Sequence, residues 1–185
     1  MVKNWFKIFQ NVGLLTLLLI FLWLTGCKSE KIDGYETYEN DAYGLTISYP
    51  KEWYVRPRAI KNEIGPIVMF NPPTKDSLIA HITIFTEKLP EDIKDLEGYF
   101  NYSKKMFLSQ AHNLELLSTK EDNINGSDTY RVEFTYNRGH FIAKSLIYMF
   151  IIDGKGYVVS SVTNTESFEK FEPIFEKVSR SIKFD

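Results

Sequence analysis

Three turn signals punctuate the chain between Leu114 and Thr163: Asn125-Gly126, Asn137-Arg138-Gly139 and Asp153-Gly154-Lys155-Gly156. Asn, Asp and Gly tolerate the positive φ of tight hairpins, so this stretch reads as a meander of four antiparallel strands. Inside it Tyr130, Val132, Phe134 and Tyr136 alternate with Arg131, Glu133 and Thr135. One face is therefore core and the other polar. The strand Phe141 to Ile152 is apolar on both faces from Leu146 onward, which predicts an interior strand covered on both sides. Tyr157 to Thr163 completes the meander.

Upstream, Leu45, Ile47 and Tyr49 alternate with Thr46 and Ser48 in a strand from Tyr43 to Tyr49. Pro50-Lys51-Glu52 turns the chain, and Trp53 to Val55 begin a second strand. Asn62 to Pro66 read as a loop, with strands at Ile67 to Phe70 and Leu78 to Thr86 separated by a turn over Asn71 to Asp76. Asp92 to Ala111 is the one central helix: Ile93, Leu96, Phe100, Phe107 and Ala111 recur at helical spacing with Ser103. Pro90, Glu91, Asp92 and Asp95 lie in or near its first turn, where acid suits the helix dipole. Thr163-Asn164-Thr165-Glu166 has the form of a capping box opening a last helix. Phe168, Phe171, Phe175, Val178 and Ile182 form that helix's stripe, with a break expected near Glu172 because Pro173 follows. The fold class is α+β: a mainly antiparallel sheet of about six or more strands with helices on both faces. Phe100, Phe134, Ile147, Val159 and Phe175 are expected in one core between helix and sheet.

The N-terminus carries a different message. Lys3 and Lys7 precede a stretch from Ile8 to Cys27 without charge, whose apolar run Leu14 to Leu24 is broken only by Thr16. That is the layout of an export signal. Leu24-Thr25-Gly26-Cys27 resembles the lipobox of bacterial lipoproteins, which implies cleavage between Gly26 and Cys27 and lipid attachment on the Cys27 thiol. Cys27 is the only cysteine, so no disulfide can form within the chain. Two acyl chains anchor stably where one binds reversibly. An uncleaved membrane helix or an ordinary secretory signal are the alternatives, although the strictly apolar core is shorter than the about 20 residues a span needs. With Lys28 after the cysteine and not Asp, lipoprotein sorting favours the outer membrane if the host is diderm. Residues 1–26 thus read as signal peptide, 27–37 as lipidated Cys and polar tether, and 38–185 as one domain. The whole chain has a net charge of −2, and loss of Lys3 and Lys7 makes it about −4. That argues against nucleic acid as a partner.

The run Tyr43 to Trp53 resembles the opening of PsbP-like domains, where a short strand reaches an aromatic-Pro-x-x-Trp corner, here Tyr49-Pro50-Lys51-Glu52-Trp53. Phe168 through Arg180-Ser181-Ile182-Lys183-Phe184 resembles their closing helix and terminal segment. Tyr130 to Phe134 and Gly156 to Val159 fall between them in the family's order. The resemblance covers residues 38–185 and implies the α/β/α sandwich shared by PsbP and Mog1 proteins. It also implies a non-enzymatic accessory role, since the photosynthetic members are extrinsic subunits of photosystem II. Nothing in this chain points to a photosystem.

Chemistry-bearing residues are sparse. His81, His112 and His140 are the only histidines and none has the close spacing of a zinc motif, so no metal ligand set and no cofactor is expected. Gly154-Lys155-Gly156 lies between strands, whereas phosphate loops join a strand to a helix. No Gly-x-Ser-x-Gly elbow is present, and Glu91, Asp92 and Asp95 are explained by a solvated helix start. No catalytic residue is therefore named. The expectation is a membrane-anchored extracytoplasmic lipoprotein whose non-catalytic domain contacts another envelope component, with an envelope-anchored enzyme or small-ligand receptor as alternatives.

Overall fold

Alternating side chains order the first strands. β2 (Leu45–Pro50) buries Leu45, Ile47 and Tyr49 and half-exposes the residues between them, as a strand with one face on a core must. The computed structural model describes residues 33–58, 65–73 and 80–185. It pairs β2 antiparallel with β1 (Tyr35–Asn40) and with β10 (Lys183–Phe184), a three-stranded sheet in the order β1-β2-β10. β1 takes in Tyr35, Glu36 and Thr37, so ordered structure starts ahead of the residue 38 boundary read from polarity. Only Tyr35, Tyr38 and Asn40 of this edge strand are half-buried, which is why it resembles a linker in sequence. Past Pro50 the chain turns, the Trp53 amide donating to the Pro50 carbonyl at 2.8 Å. Trp53 is then buried edge-on against Phe171.

Seven further strands form the main sheet: β3 (Tyr54–Pro57), β4 (Gly65–Asn71), β5 (His81–Lys88), β6 (His112–Ile124), β7 (Ser127–Arg138), β8 (Phe141–Ile152) and β9 (Lys155–Asn164). Their order is β3-β4-β5-β9-β8-β7-β6, antiparallel throughout. The meander is β6 to β9. Gly65 and Pro66 belong to β4 and not to a loop; the register shifts between Pro66 and Val68, and such an irregularity is where a strand accepts proline. Residues 62–64 and 74–79 lie outside the described residues. Asp153 and Gly154 alone make the β8–β9 turn, both with positive φ (50° and 74°), and Lys155-Gly156 already belongs to β9.

Helix α1 (Leu96–Gln110) begins later than the expected Asp92 because Asp95 is its N-cap, the carboxylate accepting from the Gly98 amide at 2.7 Å. Helix α2 (Phe168–Arg180) is reached through a 3-10 turn, Thr165–Ser167, capped by Asn164, whose side chain accepts from the Ser167 amide at 3.0 Å. The cap is therefore one residue later than the expected Thr163, which is buried in β9. Nor does α2 break before Pro173; it runs through it. Pro173 and Glu169 are both exposed, so the Glu169 carbonyl left without a donor faces water. Phe171 and Phe175, stacked at 5.8 Å in the core, hold the helix on either side.

Burial divides in two. α2 packs on β2, β8 and β9, and Phe168, Phe171 and Phe175 share a cluster with Leu45, Phe70, Tyr148, Phe150 and Val159. α1 packs on β6, β7 and β8, and Tyr99 shares a second cluster with Val132, Phe134, Ile147 and Met149. The expected single core is thus two, with Val159 and Phe175 in one and Phe134, Ile147 and a half-buried Phe100 in the other. Successive residues of a strand point to opposite sides, so β8 feeds both clusters and they cannot merge.

Candidate functional site

The two helices cover their strands unequally. α1 rests on β6, β7 and β8, and beside its C-terminal half no described element covers the sheet over β5 and β9. A cleft of about 550 Å³ results, floored by Ser145, Ile147, Val158, Ser160 and Val162 and walled by Phe85, Phe107, Ala111, Leu114 and Phe134. That volume is within the ~300–1,000 Å³ range of small-molecule sites, which are mostly apolar with a few placed polar groups. Glu87 lies at one end, in register with Gly156. His112 and Asn137, cross-strand partners on β6 and β7, lie at the other. No Lys or Arg is among the described lining residues.

Glu87 is held in place by the Tyr99 hydroxyl, which donates to Oε1 at 2.6 Å. Tyr99 is fully buried. Burial, reinforced by the neighbouring Glu87 charge, pushes its phenol far above the ordinary range. It therefore stays a neutral donor. Gly156 permits this approach, because a Cβ there would stand 2.7 Å from the Tyr99 ring and hydroxyl.

A second polar cluster lies under α2. Arg131 pairs with Glu133 at 2.6 Å and Glu176 at 2.7 Å, Lys144 pairs with Glu133 at 3.2 Å, and the Tyr148 hydroxyl donates to Glu176. Burial acts to lower Arg131, but its bonds to Glu176 and Glu133 outweigh that and raise it. Burial acts to raise Glu133, but hydrogen bonds from Arg131 and Lys144 bring it below the ordinary glutamate value. Every charge here is met by an opposite one, an arrangement that fixes α2 on β7 and β8. At the far end of the same helix, Arg180 pairs with Asp122, and the Asn125 amide donates to the Arg180 and Ile182 carbonyls at 3.1 and 2.7 Å. The β6–β7 hairpin tip thereby caps the helix C-terminus.

Gly26 and Cys27 lie outside the described residues. His81 is half-buried at the start of β5, His112 is exposed at the start of β6, and His140 is exposed in the β7–β8 turn. Among the described residues no three His, Cys, Asp or Glu side chains group as a metal ion requires. Asp95 serves as a cap. The cleft itself was not read from sequence. Two signals point to it in hindsight. Ser160 interrupts the apolar face Val158–Val162 on β9. The stripe of α1 also ends at Ala111, too early to cover strands of this length.

Among the described residues no helix is long and apolar enough to cross a membrane. No curated protein matches the chain. Its fold is similar to the solution structure of cyanobacterial PsbP (CyanoP) from Synechocystis sp. PCC 6803, at 17% identity and TM-score 0.63, covering 88% of this chain and 99% of that one. It is also similar to LpqN, involved in cell envelope biogenesis of Mycobacterium tuberculosis, at 11% identity and TM-score 0.61, covering 80% and 89%. PA94 from Pseudomonas aeruginosa, a putative regulator, is similar at 10% identity and TM-score 0.52, covering 80% and 94%. The PsbP family model matches residues 33–184. The match begins just ahead of β1 and ends in β10, spanning both sheets and both helices, and so the chain belongs to the PsbP family.

Proposed function

We propose that the chain is a lipoprotein whose PsbP domain acts as a non-catalytic accessory module at the extracytoplasmic face of the cell membrane. The observation that carries it is adjacency: Leu24-Thr25-Gly26-Cys27 stands just ahead of a family match that begins at residue 33. In this reading the signal is cut before Cys27, two acyl chains hold the domain, and the domain contacts another envelope component. The domain is an α/β/α sandwich with α1 and α2 on opposite faces of the main sheet. The likeness to LpqN, a protein of cell envelope biogenesis, supports an envelope location. The fully paired Arg131 cluster supports a structural use of its charges rather than a catalytic one.

Metabolic labelling with an acyl probe tests the anchor. Wild type takes up label and matures, whereas Cys27→Ala stays an unlabelled precursor; equal processing and labelling of the two overturns it. Screening the protein against hydrolase, transferase and redox substrates tests the second half. Blank activity is expected, and a turnover lost on changing a single His, Asp or Glu gives precedence to an enzyme.

A further inference from the structure

We propose that the cleft beside α1 binds the acyl chain of a lipid whose head group is uncharged and hydroxyl-bearing. The floor is the side-chain face of β8 and β9, each hydrogen-bonded to a strand on both sides. No free backbone donor or acceptor is offered there, so a peptide lying in the cleft would bury its own amides unpaired. A hydrocarbon chain has none to satisfy. Ile147, Val158, Val162, Phe107 and Phe134 give it apolar surface along the cleft.

Charge then selects the head group. Among the described residues of the lining Glu87 is the acidic group, and an anionic head group, as on a fatty acid or phospholipid, would meet its like charge. Glu87 is already engaged by the Tyr99 hydroxyl at 2.6 Å, yet a carboxylate has further lone pairs and accepts from a ligand hydroxyl as well. His112 and Asn137 border the opposite end. The cleft would take such a lipid whether or not Cys27 is acylated, because none of these residues belongs to the anchor.

Photo-crosslinking of the full chain in its own membranes tests this. The probe is a monoacylglycerol carrying a diazirine in its chain, with the matching diazirine fatty acid as comparison. Adducts of the monoacylglycerol are expected on the peptides bearing Phe107–Leu114 and Val158–Val162, and those of the fatty acid at background. Ser160→Phe fills the floor and Ala111→Trp closes the rim; each should cut adduct yield about tenfold, equivalent to about 1.4 kcal/mol. Limited proteolysis of both variants shows whether they are folded, and a misfolded one is replaced by Val162→Phe. Adducts spread over the surface, absent adducts, or folded variants that label like wild type overturn the site. Equal labelling by the fatty acid overturns the head-group assignment. Acyl labelling at Cys27 is read on the same samples, so loss of the anchor is told apart from loss of the site.

Discussion

Gly156 is a residue whose missing side chain is its function. A methyl group there would stand 2.7 Å from the Tyr99 ring and hydroxyl and 2.9 Å from Leu89 Cδ2, and Tyr99 cannot withdraw without breaking its bond to Glu87. Gly156→Ala should therefore destabilise the fold by about 1–3 kcal/mol, as overpacking does, measured by urea denaturation; an unchanged midpoint would show that Tyr99 has room to move. Glu133 makes the other residue-scale prediction. Its native pKa is depressed, so below the ordinary glutamate value of about 4.3 the unfolded chain binds more protons than the native one. Stability contributed by Glu133 is complete above that value and is lost as pH falls through the lower native pKa. Thermal melts should show Glu133→Gln to be less stable at neutral pH and less sensitive to acid. The slope should shrink but not vanish, because Arg180 depresses Asp122 in the same way. An acid limb as steep as wild type would mean that other carboxylates carry it.

At the scale of elements, legibility followed one-sided burial. β2 and β7 alternate cleanly and were readable, as was the α2 stripe, whose Phe168, Phe171, Phe175, Val178 and Ile182 are all buried. β1 was lost because an edge strand with two tyrosines carries too little apolar surface to show a period. Tyr99, that helix's fully buried residue, stands three residues after Leu96 and four before Ser103 and so belongs to the α1 stripe, but no periodicity reveals that its partner across the sheet is a glycine on β9. Pro173 misled for an energetic reason. Proline costs a helix interior about 3 kcal/mol, which predicts a break; two core phenylalanines flanking an exposed turn outweigh that. The cost still remains in the folded state. Pro173→Ala restores a donor for the Glu169 carbonyl and should raise stability by about 1 kcal/mol, up to the ~3 kcal/mol propensity difference. A melting temperature that falls would show that proline's effect on the unfolded chain dominates.

At the scale of the whole molecule, the cleft was illegible because it is a property of coverage: one helix is shorter than the sheet face it rests on, and no segment alone encodes that mismatch. The domain boundary is set in the same collective way. β1 pairs with β2 from Tyr35↔Pro50 to Asn40↔Leu45, and its two tyrosines reach across to other elements. Tyr38 meets Phe70 edge-on at 5.9 Å, and Lys177 of α2 lies 4.3 Å from the centre of the Tyr35 ring. β2 in turn is held on its other side by β10. The first strand thus closes a sheet whose third strand is the end of the chain, although its composition is that of a tether. Removal of residues 1–32 should accordingly leave the melting temperature of the remaining domain equal to that of a version starting at Lys28. Removal of residues 1–40 should lower it sharply, because one edge of β2 loses its hydrogen-bond partner and Phe70 loses an aromatic neighbour. Equal melting of the two shorter chains would return Tyr35–Asn40 to the tether and move the start of the domain to β2.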